Sequence, residues 1–417
     1  MKGVPSGPQP DRRSRPRGTA EQTWPMVAAA CAFAVAMCGT TLPTPLYDLY
    51  QQRLGFSELM ITVIFAVYAV GVIAALLLFG QLSDHVGRRP VLLAGLALSA
   101  LSAVCFLLTH GLPELFAGRA LSGLSAGLFT GAGTVAVVEL APPRRRDAAV
   151  LIATIANLGG LGSGPLLAGL LAQFAPAPLH LVFLVDLALV AAAIVAVLLI
   201  PETVQVRRGM QLRPRGLRVP RQMRSTFVPA AMAGFAGFAT LGLFTSVAPS
   251  FLSKVEGVQN HAVSGAVVCA LFVGSTAGQL LMSRIGMRRA LPLGCTVLVL
   301  GMAVIAGSLA VASLPLLVLG AVVAGAGQGL SFRAAVTAVA HDSPPEQRAE
   351  VTSALFVVLY VAISIPVVGV GALATAVGLR AAGLVFSGCV ALLAAATAML
   401  LLRPGGHDGE QPASTRT

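Results

Sequence analysis

The chain has 417 residues, 56% of them hydrophobic and only 11% charged, against roughly a quarter charged in an ordinary soluble domain. In water it would expose large apolar patches, so a bilayer is its natural solvent and a soluble enzyme or binding domain is excluded. A formal net charge of +12 would suit nucleic acid, but the basic residues cluster in short segments between apolar runs and do not alternate with aromatics, which excludes that partner.

In chain order, the first 22 residues are rich in Pro and Arg and lack the short apolar core of a cleavable signal, so residues 1–25 are expected to form a disordered cytoplasmic tail. Apolar runs long enough to cross a bilayer, about 20 residues each, follow near 26–49, 58–79, 90–109, 112–138, 147–174 and 179–200. A basic linker over 201–226 separates them from a second set near 227–252, 262–283, 290–312, 314–339, 348–375 and 378–402. Residues 403–417 read as another disordered cytoplasmic tail. These runs are numbered here as spans 1 to 12. The predicted fold is an all-α integral membrane protein with twelve transmembrane helices, divided into an N-terminal bundle (26–200) and a C-terminal bundle (227–402). The six cysteines lie singly inside apolar runs, with no CxxC or Cys/His spacing, and read as small core residues; no metal or cofactor is implied.

Orientation follows from the positive charges, which favour cytoplasmic loops. With both termini inside, the inner segments hold Arg88 and Arg89, Arg144 to Arg146, Arg284, Arg288 and Arg289, Arg348, and the arginines of the linker and tails. The outer loops hold only Arg53, Lys254 and Arg380. A multi-pass protein of the cell (plasma) membrane is therefore expected, with both termini cytoplasmic.

The two halves echo each other. "GQLSDHVGRRPVLLAG" (80–95) after span 2 recurs as "GQLLMSRIGMRRALPLG" (278–294) after span 8. "GRALSGLSAGL" (118–128) in span 4 recurs as "GAVVAGAGQGL" (320–330) in span 10, and "PPRRR" (142–146) before span 5 recurs as "PPEQR" (344–348) before span 11. Three echoes in order point to a duplicated six-span unit, so two pseudo-symmetric bundles around one interface are expected, with a substrate site near the midplane.

These residues resemble the major facilitator superfamily of secondary transporters. Gly80, Asp84, Gly87, Arg88 and Arg89 stand at the positions of that family's signature between helices 2 and 3; His85 and Pro90 depart from it. Gly80 would let span 2 approach the other half closely. Asp84 would accept hydrogen bonds at the N-terminus of span 11, where the macrodipole favours an anion. Gly87 would permit the turn, and Arg88 would bridge Asp84 to Glu139 at the inner end of span 4. The cluster is expected to latch the inner side and stabilise the outward-open state. The second copy carries Met282 near the position of Asp84, so the latch is expected to be asymmetric.

The resemblance also assigns Arg119 ("RALSG") to the place of an arginine linked to proton coupling, with Ser122 where glutamine is common. A mid-helix arginine must face the bundle interior or find a partner; the candidate partners are Asp48, Glu114 and Asp186. Arg333 is expected to snorkel towards the inner surface. In span 5, "NLGGLGSGPLLAG" (157–169) places Gly160, Gly164, Pro165 and Gly169 on the family's antiporter motif, which favours export over uptake. The family's cavity helices would bring Phe33, Phe129, Phe235, Phe238, Phe244 and Phe332, with Tyr68 and Tyr360, towards an apolar pocket.

The chain is thus expected to be no enzyme, since P-loop, GxSxG and HExxH patterns are absent, but a proton-coupled exporter of a small organic compound. The alternatives are a proton-coupled symporter for a metabolite and a non-transporting membrane sensor. The partners expected are substrate, protons and lipid bilayer, and the chain is expected to act as a monomer, the family's usual case.

Overall fold

Backbone N–H and C=O groups have no water to bond in a bilayer, so a chain of long apolar runs satisfies them within each run as helix. The computed structural model describes residues 23–80, 82–204 and 217–402, apart from the side chains of Asp84 and Arg288. Both predicted tails in large part, and much of the basic linker, lie outside the described residues. Among those described, every regular element is helical.

Among the described residues, twelve helices are long and apolar enough to cross a membrane. Spans 1 to 6 are Trp24–Leu54, Glu58–Phe79, Arg88–Leu107, Leu112–Glu139, Pro143–Phe174 and Pro178–Leu199. Spans 7 to 12 are Arg221–Ser246, His261–Ile285, Arg289–Val311, Leu314–Asp342, Arg348–Val377 and Leu379–Leu402. The expected runs therefore recur within a few residues at most ends, and the short turn at Ser313 does separate spans 9 and 10.

Three elements differ from continuous rods, and each break coincides with proline. Span 1 stops at Thr41 and resumes through a 3-10 turn, Thr44–Leu46, into Tyr47–Leu54, because Pro43 and Pro45 cannot continue the helical ladder. Span 7 ends at Ser246 and is followed by a short helix, Ala248–Lys254, with Pro249 in its first turn. Span 11 breaks into Arg348–Ala362 and Ile365–Val377, the second opening at Pro366. These breaks lie towards one membrane face, opposite the face that carries the arginine-rich connections, here called the basic side.

Spans 1 to 6 pack into one bundle and spans 7 to 12 into another, in contact chiefly along span 5 against span 8 and span 2 against span 11. Gly265 makes the tightest of these approaches possible: a Cβ there would sit 2.1 Å from the carbonyl oxygen of Pro165 in the other bundle. Without aqueous hydrophobic pressure between lipid-bathed helices, close van der Waals approach at such small residues holds the bundles together.

Candidate functional site

On the basic side, span 3 starts at a turn in which Gly87 has φ of 110°, a left-handed conformation that glycine adopts without a Cβ penalty. The turn delivers Arg88 to Glu139: Nε donates to Oε2 at 3.2 Å and Nη2 to Oε1 at 3.1 Å, while Nη1 reaches the Ser83 hydroxyl at 2.6 Å. Such a two-pronged guanidinium–carboxylate pair fixes geometry as well as charge. The expected Arg88–Glu139 contact is present; it ties span 3 to span 4, and Ser83 joins it from the connection after span 2.

A second acid completes the cluster. Glu202, just past span 6, accepts from the backbone N–H of Arg88 at 2.8 Å and of Arg89 at 3.0 Å, and from that of Thr203 at 3.0 Å. It caps span 3, whose first N–H groups have no helical acceptor. A Cβ on Gly87 would lie 2.5 Å from its Oε2, so the glycine also makes room for the cap. Thr203 bonds Glu139 Oε2 at 2.6 Å, and Arg89 Nη2 donates to the carbonyl of Leu198. Glu202 was not foreseen, although "PET" at 201–203 stands plainly in the sequence. Gly80 ends span 2 in ordinary right-handed geometry, with φ of −60°. The side chain of Asp84 lies outside the described residues. Glu202→Ala removes the cap of span 3 and is expected to cost about 0.5–2 kcal/mol and to lower the melting temperature by a few degrees; thermal denaturation checks this.

The opposite side is tied across the bundles. Asp48, nearly buried, accepts from the hydroxyls of Ser250 at 3.2 Å and Ser253 at 3.1 Å. Lys254 pairs with Glu58 and donates to Gln51 Oε1 at 3.1 Å. Thr44 bonds the carbonyl of Thr245 at 2.9 Å, and the His261 amide bonds Gln173 Oε1 at 3.0 Å.

Span 5 threads between these regions, and its glycines are packing surfaces. Cβ atoms on Gly160 and Gly164 would fall 2.4 Å and 2.3 Å from the carbonyls of Ala34 and Cys38 in span 1, and one on Gly169 would fall 2.3 Å from that of His261 in span 8. Pro165 has no N–H to give Leu161, whose carbonyl instead accepts from the Thr41 hydroxyl at 2.7 Å. The proline's missing bond is made good by the neighbouring helix.

The intramembrane charges differ from expectation. Arg119 is fully buried, but none of the acids expected to pair with it does so. Its Nε donates to the Tyr47 hydroxyl and Nη1 to the carbonyl of Thr40 at 2.7 Å, leaving Nη2 without a partner among the described residues. The rings of Tyr47, Phe65 and Phe106 lie 5.1, 5.7 and 5.7 Å from its guanidinium carbon and supply cation–π attraction in place of a counter-ion. Thr40 sits in the last turn before the break in span 1, where carbonyls lack helical donors, and so can take the guanidinium. Glu114 instead accepts from the Gly111 amide at 3.0 Å at the start of span 4. Asp186 is buried with Oδ1 unbonded among the described residues; it lies beside Gly39, where a Cβ would be 3.3 Å from both its oxygens. Arg333 lines a basic-side cleft of about 480 Å³ between the bundles, whose wall also carries Asp147 and Arg284.

Between the bundles lies a central cavity of about 90 Å³. Tyr68, Phe238, Phe332 and Tyr360 line it as expected. Phe238 is the hub of an aromatic wall, 5.2 Å from Phe332 and 6.1 Å from Tyr360 between ring centroids, and Phe356 extends it at 6.3 Å from Phe332. Phe33 and Phe129 do not line it: they stack on each other at 5.9 Å inside the first bundle, both buried. Phe235 and Phe244 also pack against other apolar side chains outside the cavity. Lining residues that sequence reasoning missed include Phe65, Phe272, Asn157, Gln279 and Gln328. Of these, Asn157 and the two glutamines are polar residues in apolar runs, a signal that could have found them.

The family model for the Major Facilitator Superfamily matches residues 29–365 and 280–417. The chain belongs to the Major Facilitator Superfamily. Its twelve long apolar helices among the described residues fit a multi-pass membrane protein. Its relatives include a protein named as a multidrug resistance protein, MdtD, of Escherichia fergusonii, 28% identical over 231 residues, which are 53% of this chain and 49% of that one. The protein of the same name in Escherichia coli strain HS is 29% identical over 187 residues, 44% of this chain and 39% of that one. The chain thus spans about half or less of the length of these relatives. Among solved structures, a bacterial homologue of the human lysosomal transporter Spinster, inward-facing and unoccupied, superposes with a TM-score of 0.66 at 18% identity, covering 93% of this chain and 98% of that one. A POT family transporter bound to a thioalcohol-conjugated peptide gives 0.72 at 14% identity, covering 90% and 94%. At such identities the likeness is one of fold, and the major facilitator architecture is common to all three.

Proposed function

We propose that this transporter exports a small organic compound in exchange for protons, by alternating access, from a plasma membrane in which the basic side and both termini face the cytoplasm. The observation that carries this reading is the aromatic-lined cavity between two bundles, with a carboxylate, Asp48, buried in the cross-bundle contact on the far side. Ionised, Asp48 accepts from both Ser250 and Ser253. A proton on one of its oxygens turns an acceptor into a donor, so one of the two bonds must be lost or reversed, which weakens the contact. Such a change at the outer contact links the proton occupancy of Asp48 to the opening and closing of that side. Arg119 and Asp186 are the further coupling candidates, being buried and held without an opposite charge. The glycine–proline motif of span 5 and the name of the relatives support export over uptake. One chain contains both bundles and the cavity, so the working unit is a monomer.

The test is accumulation of a panel of neutral aromatic compounds in inverted vesicles with an acidic lumen. Uphill accumulation that collapses with an uncoupler, and is lost in Asp48→Asn, is expected. Accumulation only in right-side-out vesicles with acid outside would make the protein a symporter, and no uphill movement of any compound in either orientation would overturn transport coupled to protons.

A further inference from the structure

Among the polar side chains that line the central cavity, which include Asn157, Gln279 and the hydroxyls of Tyr68 and Tyr360, Gln328 is held by a buried partner and points to what the cargo carries. Among the described residues lining the cavity there is no Asp, Glu, Lys, Arg or His. A charged compound would lose its hydration there with no opposite charge to meet it. The lining threonine hydroxyls are already spent: Thr40 on the carbonyl of Met37, Thr41 on Leu161, Thr130 on Ala126 and Thr245 on Leu241.

Gln328 is different. It is only 2% exposed, and its Oε1 accepts from the hydroxyl of Ser275, itself fully buried, at 2.7 Å. Its stem is confined by span 7, since a Cβ on Gly237 would lie 2.9 Å from the Gln328 Cγ. With Oε1 occupied, the two N–H donors of Nε2 are the polar end left to the cavity. Beside them stands the aromatic wall of Phe238, Phe332 and Phe356, whose faces suit a planar ring.

We infer that Gln328 is the specificity-determining residue of the cavity, and that the cargo is an uncharged aromatic compound bearing a hydrogen-bond acceptor such as a carbonyl oxygen, accepted by the Gln328 amide while its rings lie against the aromatic wall. This rests on the export reading for the cavity's being the cargo site. Donors left unpaired by a compound without an acceptor are penalised, so the residue selects as well as binds.

Benzophenone, two phenyl rings on one carbonyl, is both a fitting ligand and a photo-crosslinker. The purified full chain in nanodiscs, irradiated with radiolabelled benzophenone, is expected to be labelled at cavity residues such as Met37. Diphenylmethane, which lacks only the carbonyl, is expected to compete at least tenfold less well than unlabelled benzophenone, and benzyltrimethylammonium less well still. In Gln328→Leu the two neutral competitors are expected to become equal, with diphenylmethane's own potency unchanged, which also reports a folded cavity. Ser275→Ala, which frees the amide to turn, is expected to shrink the preference several-fold and serves if Gln328→Leu does not fold. Label confined to lipid-facing residues, equal competition in the unaltered protein, or a preference that survives both substitutions would overturn the assignment. The two readings fail separately: uphill vesicle flux without a ketone preference removes the role of Gln328, whereas a ketone preference without uphill flux removes the export reading.

Discussion

Arg119→Leu is expected to leave a folded protein that no longer moves cargo against a gradient. The guanidinium is completely buried, with two hydrogen bonds, three flanking rings and one nitrogen left unbonded among the described residues. Burying a cation with no carboxylate costs several kcal/mol even after relaxation, and a mid-helix arginine costs about 2.5–3.5 kcal/mol on insertion scales. Leucine removes that cost but strands the Tyr47 hydroxyl and the Thr40 carbonyl, at about 1–3 kcal/mol each. The two effects oppose each other at similar size, so the melting temperature is expected to move by only a few degrees. Uphill flux, by contrast, is expected to fall at least a hundredfold on the coupling role proposed for this charge. Thermal denaturation and vesicle flux on the same preparation check both halves of the statement. A large fall in melting temperature with flux per folded molecule intact would make Arg119 a structural residue.

Gly265→Val is expected to fail for a geometric reason. Its Cβ would come 2.1 Å from the Pro165 carbonyl, and backbone on both sides gives the new atoms no flexible side chain to displace. Overpacking of this kind costs about 1–3 kcal/mol or more, and here the strain exists only while spans 5 and 8 are together on the side opposite the basic loops. The substitution therefore biases the protein towards the conformation in which that side is apart. Flux is expected to drop more than tenfold, while a cysteine placed at Gln259 becomes more reactive to a membrane-impermeant thiol reagent. Gly369→Val, a substitution in span 11 where an added Cβ meets nothing within 4 Å, is the control expected to be silent.

The spans, their pairing into two bundles and the Arg88–Glu139 contact were legible because each is written locally, in run length, repeat order or a short signature. What was not legible has one main cause. In a membrane both the lipid-facing and the core-facing sides of a helix are apolar, so periodicity does not tell which face carries Phe33 and Phe129, which stack on each other, and which carries Phe356, which lines the cavity. The partner of Arg119 was sought among acids, but the break at Pro43 supplies a free carbonyl and the next turn a tyrosine, neither of which reads as a counter-ion. Pro165 was visible as a break in the ladder of span 5; the hydroxyl that repairs it comes from residue 41, more than a hundred positions away. Glu202 was overlooked because capping links it to Gly87 and Arg88 through space, across four spans.

Alternating access itself is tested most directly by two distances in one protein. Spin labels at Leu151 and Leu281, on opposite walls of the basic-side cleft, and in a second sample at Gln52 and Gln259, on the other side, report the two gates by double electron–electron resonance in nanodiscs. As pH or bound benzophenone is varied, one distance is expected to lengthen as the other shortens. Two distances that stay fixed, or that rise and fall together, would contradict a pair of bundles rocking about a shared cavity.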